Sequence, residues 1–354
     1  MRVAQRMVSR NYMSNLNRSL RKRTDSLDRT ASGLKFSKLS DNVADGSRAM
    51  HIQEERYQAT QQLDNTENLL AEMNSVDGNM ESIQSILQNV QEKVLKGMSE
   101  SYGQTNCEVL AKEIGNLKEE ILQFANAQFS GKYLFSGTAN SKQPFTVSDE
   151  GKIQFNGIEV SKIFKEDGKF YYMEENPDDP ANPIKTQVPN SDETYADIGL
   201  GLKINTGAQV DPRTAFKVSF SGLDIMGNIP DSADKLEQGD DVSNNVFDLL
   251  TQIENAMVPE LNNESMNKLH TQLVRLTDNV GMGRTDLGTR MSFLERTVKR
   301  LESDIDDMTQ LESDLISSDP AEEAINIKQC EYVWMAVLQL GSQILPTSLL
   351  DFMS

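Results

Sequence analysis

Two cysteines and two histidines in 354 residues leave little material for redox or metal chemistry. Cys107 and Cys330 stand on apolar helical positions and read as buried free thiols, with no disulfide framework. His51 and His270 each stand alone in a helical segment without metal-ligand spacing, so structural or solvated roles are expected. No Gly-x-Gly-x-x-Gly, phosphate-binding loop or His-Glu-x-x-His occurs. The acidic run Asp231, Asp234, Glu237, Asp240 and Asp241 lacks the order of a calcium loop and reads as a solvated linker. Asp178 and Asp179 sit among prolines, which suits a turn better than an acid–base pair. No enzyme and no cofactor are expected. Long apolar runs are missing too. Residues 332–345, about 14 in number, are too few to cross a bilayer. Residues 1–20 have no continuous apolar core, so no cleavable signal is expected.

Positive charge is scarce overall and concentrated at one end. The chain carries −19. Residues 1–40 carry ten Lys/Arg against Asp25 and Asp28, a net +8, which leaves −27 for the rest. Such a body repels nucleic acid and acidic membranes. The basic end reads either as a solvated helix face or as a surface that meets acidic neighbours.

What is present in abundance is heptad repetition. Met13, Leu20, Leu27 and Leu34 recur every seventh residue on a first helix over 2–34, with Leu16 on the same seam and Arg23 and Thr30 interrupting it. A turn-rich loop over 35–46 follows, then a long helix over 47–96. Its later half carries two interleaved rows, Leu69-Val76-Ile83-Val90 and Met73-Met80-Leu87-Val94. A third helix repeats the pattern with Cys107, Ile114, Ile121, Leu110, Leu117 and Phe124, and should pack antiparallel to the second. The longest row runs Leu273, Val280, Leu287, Leu294, Leu301, Met308, Leu315. A repeat this long demands partner helices along its length, and the second and third helices are the candidates. Met73, Met80, Met98, Met291 and Met308 read as adaptable core filling.

Between the helical halves the period changes. Asn156-Gly157 and Asp167-Gly168 lie between short apolar runs and predict two hairpins with type I′ turns. Later strands are expected at 200–204 and 216–220, after a proline-marked loop. A mainly α fold with an inserted β-rich domain follows. The expected division is 1–40 with 318–354 as terminal coiled-coil helices, 41–139 with 229–317 as a helical bundle, and 140–228 as the β-rich insert.

The last helix organises the rest. Ser318, Asp319 and Pro320 predict its start. Ile327, Cys330, Trp334, Val337 and Ile344 form one stripe, which Val333, Met335, Leu338 and Leu340 widen until it nearly wraps round. The opposite end of the chain or other copies must cover it. The expected interface is Met13, Leu16, Leu20, Leu27, Leu34, Ile327, Cys330, Trp334, Val337, Leu338, Ile344, Leu349 and Leu350.

Ser32-Gly33-Leu34-Lys35 followed by Ser40-Asp41-Asn42 resembles a signature of the flagellin superfamily, and Arg284-Thr285-Asp286-Leu287-Gly288 resembles its motif before the long downstream helix. Within that superfamily, 131–137 (Gly-Lys-Tyr-Leu-Phe-Ser-Gly) and 348–352 (Ser-Leu-Leu-Asp-Phe) are most similar to the hook–filament junction proteins. The resemblance implies a structural, extracellular subunit exported unfolded by the flagellar type III apparatus. It implies terminal helices packed into an inner coiled-coil tube and a β module facing outward. The implied partners are copies of itself, the adjacent hook-associated junction protein, flagellin, and an export chaperone at the C-terminal helix. A minor flagellin is the nearest alternative. An intracellular coiled-coil scaffold or a nucleic-acid binder explains fewer of these features.

Overall fold

The computed structural model describes 2–36, 38, 40–99, 104–138, 141–149, 151–174, 183–191, 194–201, 203–204, 210–211, 214–218, 220–227, 229–231, 242–258 and 263–344; the side chains of 2–6 and 342–344 are left aside. The chain divides into two compact units, 1–60 with 302–354, and 61–301.

Helix α1 spans Arg2–Ser32 and α2 spans Val43–Gly97. The start of α2 precedes the expected one by four residues. Asn42, read from sequence as a turn former, accepts from Asp45 N at 3.2 Å and so caps the helix. Helix α3 spans Gln104–Ala125. After the strands come the short α4, Leu223–Met226, then α5, Val246–Ala256, capped by Asn245 accepting from Asp248 N. Helix α6 spans Asn263–Ile316 and α7 spans Pro320–Ile344. Asp319 caps α7 through its side chain, accepting from Ala321 N at 2.8 Å, and Pro320 holds the first helical position as expected.

In the 61–301 unit the heptads find their cover within the chain. Val76, Ile83, Val90, Met73, Met80, Leu87 and Val94 of α2 are all buried, as are Leu273, Val280, Leu287, Leu294 and Leu301 of α6. Helices α2 and α6 run antiparallel. Arg284 meets Asp77, and Gln91 donates to Thr277 at 2.7 Å. Gly281 and Gly283 permit the approach. A Cβ on Gly283 would stand 3.1 Å from Met80 Cε, and one on Gly281 3.2 Å from Gln84 Nε2. Helix α3 packs against α5, where Lys118 bonds Glu254 at 3.1 Å. Cys107 is buried as expected, its Sγ 3.9 Å from Gly97 O at the end of α2.

The strands share this core. β1 (Gln128–Phe129) and β2 (Lys132–Tyr133) form one antiparallel pair. β3 (Phe145–Val147), β4 (Ile153–Phe155) and β5 (Ile158–Glu159) form a second sheet. β6 (Ile163–Glu166), β7 (Lys169–Glu174) and β8 (Ile184–Gln187) form a third. β9 (Tyr195–Ala196) pairs with β10 (Phe216–Lys217). Both expected hairpins are present, with Asn156, Gly157, Asp167 and Gly168 all at positive φ. The expected strand at 200–204 is not. Among its described residues only Ile204 pairs, in a single bridge to Val210, because the segment bends at Gly199 and Gly201. The strand at 216–220 shortens to β10. Phe145, Phe155, Ile163 and Phe164 are buried with Phe135 and Leu223. Asn126, at the end of α3, clamps β3 by two hydrogen bonds of 3.0 Å to the Phe145 backbone.

Replacing Leu87 with Ala should lower unfolding free energy in denaturant titration by about 2–5 kcal/mol, whereas Leu20→Ala, at an exposed site, should change it by less than about 0.5 kcal/mol.

Candidate assembly surface

In the unit formed by 1–60 and 302–354 the heptads are not covered. Helices α1 and α7 lie side by side, so the opposite end of the chain, one of the two expected covers, is in contact with the last helix. The α7 face turned to α1 carries Ile327, Cys330, Trp334 and Val337, all half-buried, with Glu323 and Gly341 buried. Cys330 is thus half-buried and not the buried thiol expected, because one neighbouring helix covers only part of a helix surface. Of the expected apolar seam, Leu16 belongs to the α1 face that meets it, while Met13, Leu20 and Leu27 do not. Tyr12, Leu16 and Arg23 are half-buried there, and Ser19 and Ser26 are buried. Small and polar residues bring the helices close. Tyr12 donates to Val337 O at 3.1 Å, and Ser26 donates to Glu323 at 3.3 Å. A Cβ on Gly341 would fall 1.9 Å from the Tyr12 hydroxyl oxygen, so any larger residue there would force Tyr12 or α7 to move. No hydrophobic pattern marks Ser19, Ser26 or Gly341; the one signal the sequence offers is that Ser19 and Ser26, seven apart, fall in step with Tyr12, Leu16 and Arg23 at alternating spacings of four and three.

Met13, Leu20 and Leu27 face away from α7, at 48%, 43% and 44% exposure. Leu34 is half-buried, bridged to Ser317. On α7, Ile325, Tyr332, Val333, Met335, Leu338 and Leu340 are exposed. Ile344 lies in α7 with its side chain outside the described set, and Leu349 and Leu350 lie outside the described residues, as do Asp178, Asp179 and most of the acidic 231–241 run. Val8, Asn11, Tyr12, Asn15, Val337 and Leu340 line an open groove of about 300 Å³ between the two helices.

The two sequence signatures take definite structural positions. Gly33, at φ +70°, ends α1 by turning the chain and donating its N–H to Arg29 O at 2.8 Å. Lys35 N then donates to Ile316 O at 2.8 Å, and Ser318 N donates to Gly33 O at 2.9 Å. This short ladder ties the end of α1 to the turn between α6 and α7. In the 61–301 unit, Arg284 binds Asp77 through two nitrogens, at 3.1 and 3.3 Å, and donates to Gln84 Oε1 at 3.0 Å. The hydrogen bond to Asp77 raises the guanidinium pKa above its usual range, against a smaller desolvation in the other direction. Its neighbour Asp286 pairs with Arg290, which stacks over the Phe220 ring.

Among the described residues, no group of three or more His, Cys, Asp or Glu could hold a metal ion, and no helix is long and apolar enough to cross a membrane. His51 is exposed and meets only Glu55, at 3.4 Å.

The profile of the bacterial flagellin N-terminal helical region matches residues 3–140. That stretch is flagellin-like. Solved structures are similar over most of the chain. One, assigned as a flagellar hook-associated protein of Vibrio parahaemolyticus, is 16% identical, with 78% of this chain and 100% of that one covered and a TM-score of 0.58. Flagellar hook-associated protein 3 of Legionella pneumophila is 14% identical, covering 74% and 97%, with a TM-score of 0.48. FlgL of Bacillus cereus is 13% identical, covering 74% and 99%, with a TM-score of 0.46. The first of these establishes a shared fold. No curated protein sequence matches.

Gly341→Ala should push α7 off Tyr12 and raise the labelling rate of Cys330 by a thiol reagent, while buried Cys107 stays slow. Adding Tyr12→Ala should bring the Cys330 rate back toward the parent's. Arg284→Lys should cost about 1–2 kcal/mol in denaturant titration, because an ammonium cannot reproduce the paired bonds to Asp77.

Proposed function

We propose that this chain is a structural subunit of the bacterial flagellum, joining hook to filament by assembly with copies of itself. The observation that carries the reading is the uncovered apolar surface of α1 and α7. Among the described residues eleven large apolar side chains stand exposed there, five on α1 (Met7, Val8, Met13, Leu20, Leu27) and six on α7 (Ile325, Tyr332, Val333, Met335, Leu338, Leu340). Burying a large apolar side chain stabilises by about 1.5–3 kcal/mol, while ordering a residue costs about 1–2 kcal/mol of backbone freedom. Two helices touching along one face leave that balance near zero, and neighbours on the other faces tip it toward order.

On this reading 1–40 with 318–354 form the assembly core, 41–139 with 229–317 the bundle, and 140–228 the outward module. Leu34, Ile344, Leu349 and Leu350 complete the interface with the residues above. The partners are further copies, the adjacent hook-associated protein, flagellin, and an export chaperone at the C-terminal helix. The location is the extracellular hook–filament junction. A minor flagellin is the second reading, favoured by the flagellin profile over 3–140. Electron microscopy of purified protein separates the two, since a flagellin forms long filaments and a junction subunit does not.

Removing 327–354 should leave a soluble bundle with the 61–301 unit folded, by circular dichroism and denaturant titration, yet unable to join hook to filament. A truncated chain that still supports motility refutes the reading.

A further inference from the structure

The first part of α2 carries a heptad row of its own, Val43, Met50 and Tyr57. All three are exposed, at 65%, 56% and 67%. Met50 and Tyr57 border an open groove of about 940 Å³ along the same helix, whose walls include Ser47, Glu54 and Thr60. Among the described residues nothing covers this row, and nothing covers Met13, Leu20 and Leu27 on α1. Each row has three members over 14 residues, a length of about 21 Å at 1.5 Å per residue.

Charge separates the two surfaces. Residues 7–32 of α1 hold Arg10, Arg18, Arg21, Lys22, Arg23 and Arg29 against Asp25 and Asp28, a net +4. Residues 43–60 of α2 are net −1. The stretch of α6 beside them, where Arg56 binds Glu312 at 3.1 Å, has six carboxylates over 302–317 and no Lys or Arg. One surface is a basic helix with an apolar row; the other is an acidic helix pair with an apolar row of equal length. Like rows pressed together would set like charges against each other.

We propose that α1 of one copy docks on the α2–α6 face of a second copy, with Leu20 against Met50 at the centre of the contact. The middle members meet whichever way the helix runs. The two patches differ, so the contact is head-to-tail, and each docked copy presents a fresh acidic face to the next; such a contact builds rings or helical arrays. This inference rests on the assembly reading and names the surface through which copies meet.

The test uses full-length chains. Leu20→Cys and Met50→Cys variants are produced together and separately in the flagellated host, flagella are isolated and oxidised, and dimers are read on non-reducing gels. The native cysteines are common to every sample. A disulfide-linked dimer at least about tenfold above either variant alone is expected only when both are present. If both variants are incorporated and no mixed dimer forms, or if Leu20→Cys alone links to itself as strongly, the docking is wrong while the assembly reading stands. If the wild-type chain is absent from isolated flagella, that reading falls with it. Met50→Glu, at an exposed site, should leave circular dichroism unchanged and reduce incorporation at least about tenfold, because docking would bury an unpaired carboxylate.

Discussion

An apolar residue on every seventh position of a helix must lie against another helix, and this demand is met differently in the two parts of the molecule. Along 61–301 the rows of α2 and α6 close on each other, assisted by Gly281 and Gly283 and fixed in register by Arg284 on Asp77. In the unit of 1–60 and 302–354 the same kind of row runs along α1, along the start of α2 and round α7, with one face of α1 against one face of α7 as the largest cover. The first arrangement makes a self-sufficient core. The second makes a surface that is incomplete in a single chain.

The contact between α1 and α7 gives that surface its form. By spending Ser19, Ser26 and Gly341 on the close approach, the chain keeps Met13, Leu20 and Leu27 free on the opposite side of α1. The Gly33–Lys35 ladder to Ile316 and Ser318 then ties the end of α1 to the turn before α7. Charge follows the same plan, with basic α1 set apart from the carboxylates of 302–317. A unit that carries one apolar row in basic surroundings on α1 and another in acidic surroundings on α2 fits the proposed repeat contact between copies.

Much of this was legible in the sequence. Long helices with strict heptads, the Asp319-Pro320 start of α7 and the two type I′ hairpins follow from periodicity and turn chemistry that act locally, so the residues carry the signal themselves. Elsewhere the signal was absent or pointed elsewhere. The Met13-Leu20-Leu27 row identifies a contact surface without saying which neighbour it meets, and the face that packs on α7 is polar and small, invisible to an apolar count. Asn42 serves equally as turn former and helix cap, and only the fold decides that it starts α2. Strands of two or three residues, such as β1, β3 and β9, are too short to display a period, and Gly199 and Gly201 bend what looked like a strand. The location of Arg284 opposite Asp77, 207 positions away, depends on the antiparallel pairing of two helices and could be read only once that pairing was known.

The claim that the terminal helices are completed by neighbouring copies is tested most directly by amide hydrogen exchange on dilute monomer and on assembled protein. The account predicts that amides of α1 and α7 exchange in the monomer orders of magnitude faster than those of Met73–Val94 in α2, and gain protection on assembly. Equal protection of all three segments in the lone chain, unchanged by assembly, would contradict it.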